Sequence, residues 1–143
     1  MIKYIRGGMK MLKRKFYNKL LDWKKTKNET CLLVKGSRQI GKTYIIDYFG
    51  KENYKSYIYI NFIELPQTAD IFEGELSADE IYKRMTLVFP EIKFIENDTL
   101  IFLDEIQEAL NGVTALKYFY ENASDYHIIA AGSLLGLELH RQA

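Results

Sequence analysis

The chain has 143 residues, of which 48% are hydrophobic and 14% aromatic, and its net charge is +1. This length suits one globular core and is too short for two ordinary domains. The longest nearly uncharged stretch, residues 127–137, falls short of the roughly 18 residues that span a bilayer, and the N-terminus lacks an apolar signal core, so we expect a soluble cytoplasmic unit without a membrane segment.

The basic residues are concentrated at the N-terminus. Residues 1–30 carry ten Lys or Arg against two acidic residues, whereas residues 31–143 carry ten against seventeen. We expect residues 1–10 to be flexible and residues 11–27 to form an amphipathic helix that docks on the domain. The apolar residues of this helix recur at helical spacing: Leu12, Phe16, Tyr17, Leu20, Leu21 and Trp23. Its lysines fit two interpretations, a surface for nucleic acid or another anionic partner, or a solvated face that balances an acidic domain.

The octet GSRQIGKT, residues 36–43, matches the phosphate-binding loop G-x-x-x-x-G-K-[ST] at every constrained position. The preceding residues 30–34, which include the single cysteine, Cys31, are typical of a buried strand, and residues 44–49 continue as a helix. One cysteine excludes an internal disulfide, and we expect Cys31 to be a small core residue. We predict that the whole loop binds nucleotide: Gly36, Ser37, Arg38, Gln39, Ile40, Gly41, Lys42 and Thr43.

Two side chains of this loop have distinct predicted roles. Lys42 would place its ammonium between the β- and γ-phosphates, and the Thr43 hydroxyl would be a ligand to Mg²⁺. Backbone N–H groups and the positive end of the helix dipole would bind the remaining phosphate oxygens. The alternative, an ordinary glycine-containing turn, is disfavoured by the strand and helix on either side.

The next segments continue the alternation of strand and helix. Residues 56–62 are aromatic and β-branched and predict a strand, and residues 65–76 predict a long surface connection. Ser77 and Glu80 form a capping-box pattern for a helix that ends before Pro90. We expect the buried stripe of that helix to contain Ile81, Met85 and Val88.

A second motif, TLIFLDE at residues 99–105, is an apolar strand that ends in two adjacent carboxylates. This pattern is typical of a buried parallel strand at its functional edge. We predict that Asp104 holds Mg²⁺ through water and that Glu105 is the general base that polarises the attacking water. Alone, the pattern also fits an exposed acidic strand end, but the phosphate loop upstream favours a catalytic site.

The C-terminal part predicts one further helix and one further strand. Asn111 can cap a helix whose inward residues are Val113, Leu116, Phe119 and Tyr120, and residues 127–132 form the fourth strand. Ser133 follows that strand and has two open interpretations, a residue that orients water or senses the γ-phosphate, or a turn serine that caps the next helix. His127 and His140 have no partner at metal-ligand spacing, and we expect them at the surface.

Five segments of the chain resemble the N-terminal ATPase region of prokaryotic AAA-superfamily proteins that carry a C-terminal domain of unknown function. In chain order, these segments are GSRQIGKT, YINF, TLIFLDEIQ, LKYFYEN and AAGSLLG. The resemblance spans about residues 11–141. It implies a three-layer α/β P-loop NTPase with strand order 1-4-3-2, ATP and Mg²⁺ as ligands, and Ser133 in the sensor position. Lys42, Thr43, Asp104 and Glu105 take the roles given above, and Gln107 matches the family motif without a firm role.

Members of that family are normally longer, with a fifth strand, a helical lid and the C-terminal domain. We therefore expect a truncated chain in which residues 11–143 form an incomplete ATPase domain, with a leader helix and linker at 11–29 and a nucleotide-binding core at 30–143. The strand at residues 30–34 would be an exposed apolar edge. An arginine supplied by the missing part or by a neighbouring subunit would be absent, and Arg141 is a poor substitute because tail arginines are usually solvated.

Three functional hypotheses follow. The first is an ATPase whose turnover drives a conformational change, and the second is a nucleotide-dependent binding module for DNA or protein with slow or no hydrolysis. The third, a small-molecule kinase, is disfavoured because the Asp-Glu pair favours activation of water over a substrate hydroxyl. A partner would bind through the basic helix or the missing C-terminal domain, and oligomerisation is compatible with either of the first two functions.

Overall fold

A computed structural model of the chain describes residues 9–26, 31–35, 41–122 and 126–133. The helices are α1 (Met9–Thr26), α2 (Lys42–Asn53), α3 (Ala78–Val88) and α4 (Gly112–Asn122), with two 3-10 helices at Pro66–Phe72 and Ile106–Glu108. The strands are β1 (Cys31–Lys35), β2 (Ser56–Asn61), β3 (Thr99–Asp104) and β4 (His127–Gly132). None of the helices in these ranges is long and apolar enough to cross a membrane.

The four strands form one parallel sheet in the order β1-β4-β3-β2, which confirms the predicted order. All six residues of β3 are buried, as expected for a central parallel strand covered on both faces. One face of the sheet packs against α1 and α2, and the other packs against α3 and α4. The fold is therefore the predicted three-layer α/β arrangement of a P-loop NTPase core.

The strand β1 lies at an edge of the described sheet and presents Leu33, which is 37% exposed. The sequence predicted an exposed apolar edge, and the structure agrees only in part, because Val34 is buried and Cys31 and Leu32 are half-buried. Cys31, in the same strand, is half-buried and packs against the core, as predicted. Desolvation raises the pKa of its thiol to about 12, so the thiol stays protonated at neutral pH.

Helix α1 docks on α2 through the predicted apolar stripe. Phe16, Leu20 and Trp23 are buried in the core shared with α2 and the sheet, and Tyr17 and Leu21 pack beside them. The side chain of Leu12 and the structure of residues 1–8 lie outside the described part. The docking follows from helical periodicity, because residues three or four apart share one face of the helix.

The prediction for His127 was wrong, because this residue is half-buried. Its Nδ1 atom lies 2.7 Å from the Tyr54 hydroxyl, and its ring makes an edge contact with Trp23 at a centroid distance of 5.6 Å. The ammonium of Lys24 lies 4.4 Å from the centroid of the Tyr54 ring and donates to the carbonyl of Asn53. Helix α1 covers this end of the sheet, which the sequence around His127 does not reveal. His140 lies outside the described residues.

The connection predicted for residues 65–76 is more ordered and more buried than expected. Its 3-10 helix buries Thr68, Ile71 and Phe72, and the ring of Phe72 lies 5.6 Å from that of Phe62. Two apolar residues at the end of the helix thus contribute to the core on the α3 side. The sequence did not predict this contribution, because the polar and turn-forming residues nearby are typical of a surface loop.

Helices α3 and α4 agree with the sequence in part. The Ser77 hydroxyl caps α3 by accepting the backbone N–H of Glu80 at 3.3 Å, as predicted. Ile81 and Met85 are buried, which was also predicted. The prediction for Val88 was wrong, because this residue lies in the last turn of α3 and is 43% exposed. In α4, Leu116 and Phe119 are buried and Val113 is half-buried, whereas the side chain of Tyr120 is outside the described part. Asn111 adopts a left-handed conformation (φ 67°) just before α4, and its carbonyl accepts the backbone N–H of Ala115.

Gly50 on α2 allows this helix to pack closely on the sheet. A Cβ atom at Gly50 would lie 2.6 Å from Cε1 of Tyr57 and 3.0 Å from Cδ2 of Leu100.

Gly50→Ala should therefore lower the free energy of unfolding by about 1–3 kcal/mol, because the added methyl group overpacks the core. At an exposed helix position, the same substitution would raise the free energy of unfolding by about 1 kcal/mol. Urea denaturation measures this change. Lys51→Ala, at the exposed neighbouring position, is the control and should stay within about 0.5 kcal/mol, and an equally stable Gly50→Ala variant would contradict the packing argument.

Candidate nucleotide-binding site

A cavity of about 280 Å³ lies at the carboxyl edge of the sheet. Five residues predicted from the sequence to act in the site line this cavity: Lys42, Thr43, Asp104, Glu105 and Ser133. Lys42 and Thr43 lie in the first turn of α2. Asp104 ends β3 and Glu105 follows it, and Ser133 directly follows β4. Parallel strands end at the same edge, which explains why residues so far apart in sequence meet here. Gly36, Ser37, Arg38, Gln39 and Ile40 lie outside the described residues.

Gly41 and Lys42 begin the helix that approaches the cavity. Gly41 has φ 67° and ψ 25°, a left-handed conformation that favours glycine, and α2 starts at the next residue. The Lys42 ammonium donates to the Lys35 carbonyl at 2.5 Å, so that the side chain turns back towards the end of β1. Lys42 is buried, and desolvation lowers its pKa. An anion at the amino end of α2 would offset the cost of this desolvation, because a nearby negative charge favours the charged form of lysine.

The carboxylate of Asp104 is buried and accepts hydrogen bonds on both oxygens. Its Oδ2 atom accepts from the Thr43 hydroxyl at 3.1 Å and from the Tyr59 hydroxyl at 2.7 Å. Its Oδ1 atom accepts from the backbone N–H of Glu105 at 2.9 Å. These donors compensate for the burial of a charged group. Burial, together with the bond to Asp104, raises the pKa of Tyr59, so its hydroxyl remains a donor at physiological pH.

Glu105 has φ 56° and ψ 45°, a left-handed conformation that is uncommon outside glycine and asparagine. Such strain is concentrated at functional sites, where the surrounding structure compensates for it. The strain accompanies an abrupt change of direction, since β3 ends at Asp104 and the 3-10 helix Ile106–Glu108 follows at once. The Glu105 side chain is buried, and its Oε1 atom accepts the Nε2–H of Gln107 at 3.0 Å.

The oxygen donors of the cavity fit Mg²⁺. The Thr43 hydroxyl donates to the Asp104 carboxylate at 3.1 Å, so a hydroxyl that could bind Mg²⁺ directly lies beside a carboxylate that could hold one of the water ligands of the ion. Within the described residues, no cluster of three His, Cys, Asp or Glu side chains could hold a metal alone. The remaining ligands would have to be water and phosphate oxygens, which is how Mg²⁺ is usually bound with nucleotides. The described lining contains one basic side chain, Lys42, and three acidic ones, which also favours a cation.

The sequence did not single out three polar residues of β2 and its extension that line the cavity, Tyr59, Asn61 and Glu64. Asn61 pairs in register with Asp104, and its amide donates to the Tyr59 hydroxyl at 3.2 Å. Tyr59 and Asn61 are two residues apart and thus share a face of the strand, while Ile58 and Ile60 occupy the other face. The sequence feature that could have identified them is the pair of polar residues two positions apart, near the end of a strand that lies beside the acidic strand.

Tyr59→Phe removes one donor from the buried Asp104 carboxylate. We expect the free energy of unfolding to fall by about 1.5–3 kcal/mol, the usual contribution of a hydrogen bond to a charged group. Urea denaturation in the absence of metal measures this loss. Tyr44→Phe is the matched control, because Tyr44 is 71% exposed and loss of its hydroxyl should change stability by less than about 0.5 kcal/mol. Equal stability of both variants would show that the Tyr59 bond contributes little.

Comparisons with known proteins place the chain in a family. C. elegans PCH-2 is similar over 85% of this chain and 37% of its own, with 12% identity and a TM-score of 0.53. The Walker-type ATPase PABY2304 of Pyrococcus abyssi matches 97% of this chain and 47% of its own, with 19% identity and a TM-score of 0.48. The chain thus spans less than half the length of either structure, and at 12% identity the likeness to PCH-2 concerns the fold alone. No curated protein matches at a significant level. The AAA domain family matches residues 28–143, and the chain therefore belongs to this family of P-loop ATPases.

Proposed function

We propose that this chain binds Mg-ATP in the cavity at the carboxyl edge and hydrolyses it to ADP and phosphate, with turnover driving a conformational change. Membership of the AAA domain family implies nucleotide binding. The observation that carries the finer proposal is the bond between Thr43 and Asp104, which are 61 residues apart. It joins the end of the phosphate loop to the acidic end of β3, so that groups for phosphate, metal and water share one cavity.

The phosphate side of the proposed site is the amino end of α2. Lys42 would exchange the Lys35 carbonyl, which it contacts now, for β- and γ-phosphate oxygens. Helix α2 has 12 residues, and its N-terminal N–H groups and dipole favour an anion at this end. We assign Gly36–Thr43 to nucleotide binding on the sequence pattern, and the geometry of Gly41, Lys42 and Thr43 supports that assignment.

The hydrolytic side of the proposed site is the end of β3. Thr43 and Asp104 would hold Mg²⁺, directly and through water respectively, and this ion when bound would stabilise the charge that develops on the phosphate oxygens. Glu105 would accept the proton of the attacking water. Its burial and its hydrogen bond with Gln107 keep the carboxylate in a defined position beside Asp104, as a general base requires.

Ser133 is proposed to contact the attacking water or the γ-phosphate. It is exposed, lines the cavity, and directly follows the last residue of β4. A hydroxyl in this place can both donate and accept a hydrogen bond, so it can orient a water molecule. The structure of the following residues lies outside the described part, so the alternative role as a helix cap stays a prediction.

The surface of α1 is proposed to receive an anionic partner. Its described basic residues at exposed positions are Lys13, Arg14, Lys15, Lys19 and Lys25. The opposite face of α1 packs against α2, the helix that carries Lys42. A change at the amino end of α2 during turnover would therefore act directly on the helix that presents this basic surface.

Glu105→Gln tests the proposed reaction. The amide keeps the shape of the side chain but cannot accept a proton, so we expect phosphate release to fall by about 10²–10⁴-fold while the Kd for ATP changes less than about twofold. Phosphate release is measured without an added acceptor, which a kinase would need. Glu108→Gln is the matched control, because Glu108 is exposed in the adjacent 3-10 helix and should retain full turnover.

The outcomes of this test separate the two main hypotheses. Turnover in Glu105→Gln at the level of the original chain would contradict the role of Glu105. Tight ATP binding together with negligible turnover in the original chain would favour the nucleotide-dependent binding module instead.

A further inference from the structure

Gln107 contacts the proposed general base directly. It lies two residues after Glu105, in the 3-10 helix Ile106–Glu108, and its Nε2–H donates to Oε1 of Glu105 at 3.0 Å. Glu105 is buried and Gln107 is half-buried, so this bond is partly shielded from bulk water, and a shielded hydrogen bond is electrostatically stronger than one at the surface. The bond restricts a flexible side chain to one region of the cavity.

The other end of the Gln107 amide lies against the last residue of β4. A Cβ atom at Gly132 would overlap Oε1 of Gln107, while its distance to Cγ2 of Ile106 would be an ordinary 3.4 Å. Gly132 does not have a left-handed backbone conformation. Glycine at this position leaves the space that the Gln107 amide oxygen occupies, whereas the backbone conformation alone would accept alanine.

These two contacts place Gln107 between Glu105 and Gly132, the last residue of β4, which Ser133 directly follows. We propose that Gln107 is a positioning residue, which orients the Glu105 carboxylate and links its position to that of Gly132. The inference rests on the proposed function of Glu105 as general base. A base that is displaced by about 1 Å can lose about 100-fold in rate, so a single amide bond of this kind has a measurable effect on turnover.

The link also gives a physical route between the two sides of the cavity. Ser133 is proposed to contact water or the γ-phosphate, and the adjacent Gly132 contacts the amide that holds Glu105. A shift of the β4 end on nucleotide binding would move Gln107 and, through it, the carboxylate. Gln107 itself does not line the cavity, which is why we assign it to positioning and not to catalysis.

Two variants test the proposal independently. Gln107→Met keeps a similar length and volume but has no N–H donor. Gly132→Ala leaves Gln107 in place but pushes its flexible amide aside, a displacement that costs the fold little because the overlapping atom is the end of a side chain. We expect each variant to lower kcat by about 10- to 100-fold, while KM and the Kd for ATP stay within about twofold of the original values.

The double variant distinguishes coupling from two separate defects. If Gly132→Ala acts by displacing the Gln107 amide, it should lower kcat little further in the Gln107→Met background. Full effects of both changes in the double variant would overturn the link between Gly132 and Gln107. Wild-type kcat in Gln107→Met would overturn the positioning role, because a role in volume alone is preserved by methionine. Thermal unfolding of each variant verifies that it is folded.

A spectroscopic measurement separates failure of this inference from failure of the proposed function. The side-chain amide signal of Gln107 in a ¹⁵N-labelled sample is assigned by its loss in Gln107→Met. We expect this signal to shift in Glu105→Gln and in Gly132→Ala. Absent turnover in the original chain, with these shifts present, would reject the hydrolytic function but retain the contacts. An unchanged signal in both variants would overturn the inference whatever the turnover.

Discussion

The pairing of the buried strand β3 with β2 and β4 is the constraint on which the site depends. Its six residues are all buried, and its register places Asn61 of β2 and Ala131 of β4 beside Asp104. Since all four strands run in the same direction, the polar residues that follow the apolar runs are brought to one edge. Helix α2 starts at that same edge, and its Thr43 hydroxyl reaches Asp104. The cavity is thus a direct consequence of strand order and register.

This arrangement buries charged groups that would otherwise be hydrated. Lys42, Asp104 and Glu105 are all below a tenth exposed, although the sheet beneath them is apolar. Each of the three has a hydrogen-bond partner: the Lys35 carbonyl, the hydroxyls of Thr43 and Tyr59, and the Gln107 amide, respectively. Burial of charge is costly unless such partners are present, and it is retained where a site needs strong electrostatics. A cavity in which these groups are already positioned suits phosphoryl transfer, which depends on positioning and charge stabilisation.

The sequence predicted the four strands and five of the residues that line the cavity, because these depend on local patterns. Apolar runs of strand length and the spacing of the phosphate loop are visible without tertiary contacts, and the resemblance to a family added the strand order. The contacts of Tyr59 with Asp104 and of Gln107 with Glu105 could not be predicted, since they depend on register and on the left-handed turn at Glu105. His127 was misplaced for a similar reason: its partners come from α1 and from the segment after α2. Residue propensities and hydrophobic periodicity predict whether a segment forms a helix or a strand, but they do not predict which other helix or strand packs against it.

The central claim is that the amino end of α2 and the carboxyl edge of the sheet form a nucleotide site. A titration of the 143-residue chain with fluorescent ATP, with and without Mg²⁺, tests it most directly when Lys42→Ala is measured in parallel. Lys51→Ala, an exposed lysine on the same helix, is the matched control. The account predicts saturable binding that Mg²⁺ strengthens, that Lys51→Ala leaves unchanged, and that Lys42→Ala weakens at least about tenfold, because a charge-assisted contact of about 1.5–3 kcal/mol is lost. Equal affinity of the Lys42→Ala variant and the original chain would contradict the site assignment.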